Sequence, residues 1–176
     1  SKKLRNYTEP TEIFEAQGSD ALRWYFMSSS IVRGGDSRIS DQSIDDVVRQ
    51  VINPIWSAFS FFTLYANIDD YRATFISEPS NTLDKYILAK THLLVTNVTE
   101  HMDKYDLPGA TSEIRGFIDV LNNWYIRRSR DRFWSPAKPV HDNDKQDAYD
   151  TLFTVLHTLC KLSAPFLPMV SEEIFK

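Results

Sequence analysis

The sequence predicts an all-α protein, an antiparallel helical bundle, and three observations carry that prediction. Only five of its 176 residues are glycine, and the helix breakers gather at a few places. Between those places apolar side chains recur at three- and four-residue steps, the spacing of one face of a helix. No segment of any length alternates apolar and polar residues with the period of a strand, and no internal repeat is present.

Each element follows from its punctuation. Residues 8–18 read as a short helix stopped by Gly18, after which Ser19 is an N-cap for residues 20–27. Residues 33–38, with two adjacent glycines, read as a turn. From Asp41 the positions Ile44, Val47, Val48, Val51, Ile55, Phe59, Phe62 and Tyr65 mark one long amphipathic helix. Pro54 is expected to kink it, because proline has no N–H to give the carbonyl of Gln50. After a polar linker at residues 77–81, Thr82 is expected to cap a helix with Leu83, Ile87, Leu94, Val98, Met102 and Tyr105 on one stripe. The next helix starts near Pro108 and carries Ile114, Phe117, Ile118, Leu121 and Tyr125. Pro136, Pro139 and residues 141–144 form a loop. Ala148, Leu152, Leu156, Leu159 and Leu162 then define a helix that ends before Pro165, and a last short helix comes after Pro168. Long helices with short connections and inward stripes pack as an antiparallel bundle.

Composition excludes several classes. With 42% hydrophobic, 13% aromatic and 25% charged residues the chain can bury a core, which rules out disordered and low-complexity classes. The single cysteine, Cys160, excludes a disulfide framework and multi-cysteine zinc sites; it fits a reducing cytoplasm and reads as a small core residue. No apolar run is long enough to span a membrane and no leader pattern is present, so no membrane partner is expected. The net charge of −4 argues mildly against nucleic acid.

Catalytic constellations are absent. His92, His101, His141 and His157 never fall at the i, i+4 spacing that brings two imidazoles to one helical face, so no metal site is expected. Asp45-Asp46, Asp69-Asp70 and Glu172-Glu173 are adjacent pairs that point to different helix faces and cannot share a proton. There is neither a phosphate-cradling glycine loop nor a nucleophile elbow.

One segment departs from the acidic background. From Trp124 to Trp134, four arginines against one aspartate leave a local charge of +3 within eleven residues, interleaved with Trp124, Tyr125, Phe133 and Trp134. Guanidinium groups bind phosphate and aromatic rings stack on splayed bases, the two needs of RNA recognition. Continuing the helix at about 100° per residue places Arg128 and Arg132 near the stripe of Ile114, Leu121 and Tyr125. Arginines there require partners, expected among Asp147, Glu172 and Glu173, and are read as structural ion pairs. Arg127 and Arg130 face outward beside Trp134; with Trp124 and Lys138 they form the expected tRNA-binding set, and Arg115 and Lys104 would extend the patch.

The run Asn123-Trp124-Tyr125-Ile126-Arg127-Arg128-Ser129-Arg130, followed by Arg132-Phe133-Trp134, resembles the anticodon-domain signature of the isoleucyl-tRNA synthetases. Three further blocks agree in order. Ser1-Lys2-Lys3 resembles the end of the class I KMSKS motif, residues 18–25 resemble the G-A-D-A-L-R-W segment after it, and residues 159–168 with Ser171-Glu172-Glu173-Ile174 resemble the family's closing helix. Valyl enzymes usually carry Ile-Glu where this chain has Ile126-Arg127, so the isoleucine family fits better, with the anticodon domain of a related valyl, leucyl or methionyl synthetase as the alternative.

The resemblance implies a fragment. Residues 1–40 are then the end of the KMSKS loop with connecting helices, and residues 41–176 the anticodon-binding bundle. The parent enzyme ligates isoleucine to its tRNA with ATP and magnesium. Its nucleotide-binding fold and editing domain would precede Ser1, and further anticodon contacts would come after Lys176. Ser1, Lys2 and Lys3 are the ATP-binding remnant, with Lys2 alone matching a phosphate-binding lysine and Lys3 standing where serine is usual. The fragment is expected to be inactive alone, to bind no cofactor, and to be a cytoplasmic monomer. Its partners are isoleucine tRNA and the catalytic domain of its own chain, against which Trp24 and Phe26 would pack if not repacked on the bundle. A helical protein-interaction module is the other class left open.

Overall fold

A computed structural model describes residues 9–36, 39–135 and 143–176. Helix α1 spans Pro10–Ala16 and α2 spans Ser19–Ser28. Between them Gly18, at φ 85°, takes a conformation that L side chains rarely adopt, and it occupies the N-cap position expected for Ser19. A 3₁₀ turn, Ser30–Arg33, comes next. Helix α3 (Asp41–Val47), a π-helical turn (Val48–Ile52) and α4 (Asn53–Ile68) form the continuous amphipathic rod that the periodicity predicts. The interruption demanded by Pro54 takes the form of that π turn, in which the N–H of Asn53 bonds the carbonyl of Val48.

Helix α5 (Thr82–Asp103) is capped by Asn81 rather than Thr82: the Asn81 side chain accepts from the N–H of Leu83 at 2.9 Å. Tyr105 does not continue its stripe. It sits at φ 57° and is 90% exposed, because the helix has already ended. Asp106 caps α6 (Leu107–Asp119) by accepting from the Gly109 N–H at 3.1 Å. A second π turn (Val120–Ile126), then α7 (Arg127–Trp134), α8 (Asn143–Ser163) and α9 (Pro168–Phe175) complete the chain. No described residue lies in a strand.

The core is the meeting of α5, α6 and α8. Ile87, Leu94 and Val98 face Ile114, Ile118 and Leu121, and Leu152, Val155, Leu156 and Leu159 close the layer. Cys160 lies with them, its thiol pushed up to about 11 by burial. Trp24 is buried, packed edge-on against Phe166 at 5.9 Å, and Phe26 is half-buried. Helix α2 therefore packs on the bundle. Asp20 accepts from the Val170 N–H in the first turn of α9, and Arg23 donates twice to the Pro165 carbonyl.

Residues 71–81 run as a strap along one face of α8. The N–H groups of Thr74, Ile76 and Ser80 donate to Asp150, Thr154 and Asp147, and the Asn81 amide donates to Asp144. Asp147, expected as an arginine partner, is thus engaged by Ser80, accepting from its hydroxyl and from a backbone N–H that would otherwise go unsatisfied.

Two carboxylates at element ends tie the bundle together. Burial pushes the Asp69 carboxyl up, but the Lys145 ammonium and the Tyr149 hydroxyl outweigh burial and hold it below the ordinary aspartate value. The Gly109 N–H and then Arg33 lower Asp106. Both groups therefore contribute stability that is present above the unfolded aspartate pKa of about 4 and is lost as pH falls through their lower folded values. Thermal melts from pH 5 to pH 2.5 should show a falling midpoint, and Asp69→Asn should flatten that fall; an unchanged slope would contradict it.

Candidate nucleic-acid interface

The basic, aromatic segment is carried on the second π turn and α7, wedged between α4 and α5. On the α4 side, Asn122 donates to the carbonyls of Pro54 and Ile118, so the second π turn adjoins the first turn of α4. Phe133 lies between Phe61 and Tyr149, 5.0 Å from each ring centroid and edge-on to both. On the α5 side, the buried Tyr125 hydroxyl donates to Asp84 at 2.7 Å.

A π turn takes up more residues than an α turn, so the residues after it fall out of the α-helical register. The inward positions of α7 are Ser129 and Phe133, one residue later than the expected Arg128 and Arg132. Arg128 is accordingly exposed and makes no ion pair among the described residues; its guanidinium carbon lies 5.0 Å over the Trp124 ring. That corrects its assignment as a structural ion pair.

Arg132 stays at the rim, with 11% of its side chain exposed, and is paired, but with neither Asp147, Glu172 nor Glu173. Its Nη1 and Nη2 grip both oxygens of Asp84 at 2.7 and 2.6 Å, and its Nε donates to Asp144 at 2.9 Å. Glu172 and Glu173 are exposed and sit beside Lys176 on α9. Burial alone would lower the Arg132 pKa; the hydrogen bonds and charge of Asp84 more than reverse it. Burial, then the Asp84 charge, pushes the Tyr125 hydroxyl well above its ordinary value. Asp84 is the partner that sequence reasoning missed. It begins the buried series Asp84, Ile87, Thr91, Leu94 and Val98, so a carboxylate at a core-facing position was the available signal.

Arg127 and Arg130 are exposed on the outward ridge of α7, and neither meets a carboxylate among the described residues. Trp134, 54% exposed at the end of that ridge, is steadied by its indole N–H, which donates to the Tyr65 hydroxyl at 2.7 Å. Trp124 is half-buried against Tyr86 of α5, with ring centroids 4.4 Å apart. Arg115 donates to Gln50 and lines, with Asn53, Ser57 and Asn123, a polar groove of about 830 Å³ between α4 and α6. Lys104, at the far end of α5, stands roughly 30 Å from this ridge at 1.5 Å per helical residue. Ser1, Lys2, Lys3 and Lys138 lie outside the described residues.

The surface offered is therefore mainly cationic, with Arg127, Arg128 and Arg130 exposed against Asp131, and is flanked by one open and one half-buried indole. Its chemistry suits a phosphate backbone with an unstacked base beside it.

Residues 84–176 match the model of the anticodon-binding domain of tRNA ligases. An isoleucine–tRNA ligase of Tropheryma whipplei (strain Twist) is 50% identical over 179 residues, a match that takes in 100% of this chain and 16% of the ligase. One of Leifsonia xyli subsp. xyli is 45% identical over 176 residues, again 100% of this chain and 16% of the ligase. The chain thus spans 16% of the length of these curated relatives. Among solved structures, the LeuRS–tRNA–LeuAMS complex of Agrobacterium radiobacter K84 aligns with a TM-score of 0.71 at 20% identity, covering 99% of this chain and 20% of that one. Mycobacterium tuberculosis methionyl-tRNA synthetase with methionyl-adenylate aligns with a TM-score of 0.72 at 19% identity, covering 95% of this chain and 33% of that one. At such identities the likeness concerns the fold alone.

Proposed function

Because the chain belongs to the family of anticodon-binding domains of tRNA ligases, we propose that it grips the anticodon stem and loop of isoleucine tRNA as part of an isoleucine–tRNA ligase. The parent enzyme would join isoleucine to that tRNA using ATP and magnesium in the cytoplasm, and this chain would act as a monomeric unit within it. Binding here orients the acceptor end toward a distant catalytic fold. ATP and magnesium are assigned to that fold, and Ser1, Lys2 and Lys3 to the edge of its site. Among the described residues no three His, Cys, Asp or Glu side chains gather as a metal site.

The observation that carries this reading is the pair Arg127 and Arg130. Both are exposed, within the matched residues and on the ridge that ends at an open tryptophan, and neither forms an ion pair among the described residues, the adjacent Asp131 included. Charge left uncommitted on a rigid helix is what a phosphate contact requires. Isoleucine is favoured over leucine, valine and methionine by the 45–50% identity to isoleucine–tRNA ligases.

Fluorescence titration of the chain with isoleucine tRNA and a non-cognate tRNA at two salt concentrations tests the reading. Binding should be weak, cognate-preferring and steeply salt dependent. The double variant Arg127→Ala/Arg130→Ala should lose about tenfold or more in affinity, while its melting temperature stays nearly unchanged, as for surface positions generally. A lowered melting temperature with unchanged binding would refute the assignment.

A further inference from the structure

We infer that the RNA interface has a second limb on α5, in which Arg128 and Lys90 bind phosphate and the rings of Trp124 and Tyr86 hold those cations in place. This limb rests on the anticodon-binding reading and adds contacts to it.

Lys90 and Tyr86 of α5, Trp124 of the second π turn and Arg128 of α7 form a ladder with a cation at each end and two rings between them. Lys90 Nζ lies 5.6 Å over the Tyr86 ring, Tyr86 and Trp124 are 4.4 Å apart at 43°, and the Arg128 guanidinium carbon is 5.0 Å from the Trp124 ring. Trp124 is half-buried, with Tyr86 and Arg128 both against it, and offers a base less open ring than Trp134 does. Trp134 is different, being more than half exposed. A half-buried indole can act through the groups packed against it. Stacking orders a long arginine before any ligand arrives, which lowers the entropy cost of the contact it makes.

The donors held this way are uncommitted. Arg128 is exposed and meets no carboxylate among the described residues, and the buried carboxylate of neighbouring Asp84 is already taken by Arg132 and Tyr125. The ladder lies on the α5 side of the ridge bearing Arg127 and Arg130. The cationic surface is thus wider than a single ridge, as suits a stem whose two strands both present phosphate. Contacts of this kind fix register and orientation without reading bases.

The test is titration of the chain with isoleucine tRNA across a salt series, with thermal melts as the folding control. Arg128→Ala should weaken binding several-fold and reduce the slope of log affinity against log salt by about one. Arg128→Lys keeps the charge but loses the planar stack; it should keep the slope and lose about threefold in affinity. Trp124→Leu should repeat that pattern, and Trp124→Phe should restore affinity. Should Trp124→Leu lower the melting temperature, Tyr86→Ala, at the exposed ring of the pair, decides, with the same pattern expected. Wild-type affinity and slope in Arg128→Ala, alongside a defect in Arg127→Ala/Arg130→Ala, would overturn the second limb and leave the proposed function intact. If neither variant differs from wild type, or the chain binds an acidic protein surface and no tRNA, the functional reading fails and the second limb with it.

Discussion

Asp84→Ala will lower the stability of this chain by about 3–5 kcal/mol, the cost of leaving a buried charge without its partner. For a domain of this size that is a fall in melting temperature of roughly 10 °C or more. Asp84 has no exposed surface, and it accepts two hydrogen bonds from Arg132 and one from Tyr125. Its removal strands a guanidinium that is only 11% exposed and a buried phenol together. Asp144 and its backbone carbonyl retain part of the Arg132 contact, which keeps the loss finite. Arg132→Met should also be costly, because it leaves the carboxylate unpaired. The double variant Asp84→Leu/Arg132→Met should recover much of either loss, since an apolar pair of similar volume replaces a buried ion pair at little cost. Additive losses measured by urea unfolding would contradict a coupled pair.

The second large effect concerns register. Phe133→Ala should cost about 3–5 kcal/mol, whereas Arg128→Ala should change stability by no more than about 0.5 kcal/mol. Phe133 is buried between Phe61 and Tyr149 and joins α7 to α4 and α8 at once. An uninterrupted α-helix would turn Phe133 toward the flank and Arg128 inward, and the ranking of the two variants would reverse. Chemical denaturation of both therefore measures the register change introduced by the π turn. Equal, small effects would place neither side chain in the core.

Much of the fold was legible because it is encoded locally. The spacing of apolar residues, the prolines at the first turns of α6 and α9, and the breaks at Gly18 and Pro165 are properties of a few neighbouring residues. The basic aromatic segment was legible for the same reason, since composition alone sets it apart. The partners were not. Asp147, Glu172 and Glu173 were reasonable carboxylates for the arginines, yet the strap claims Asp147 and the short α9 leaves the glutamates beside Lys176.

The amino-acid sequence by itself determined the helices, their order and the local +3 charge of residues 124–134. The tertiary structure decided which arginines face inward, which carboxylate meets Arg132, and that Tyr86 and Lys90 stand beside Trp124. The physical reason is that a π turn exchanges one set of backbone hydrogen bonds for another at small local cost. The choice between the registers therefore rests on the groups that lie opposite: an apolar slot between Phe61 and Tyr149 receives Phe133, and Asp84 receives Arg132. Neither is visible from the helix that carries them.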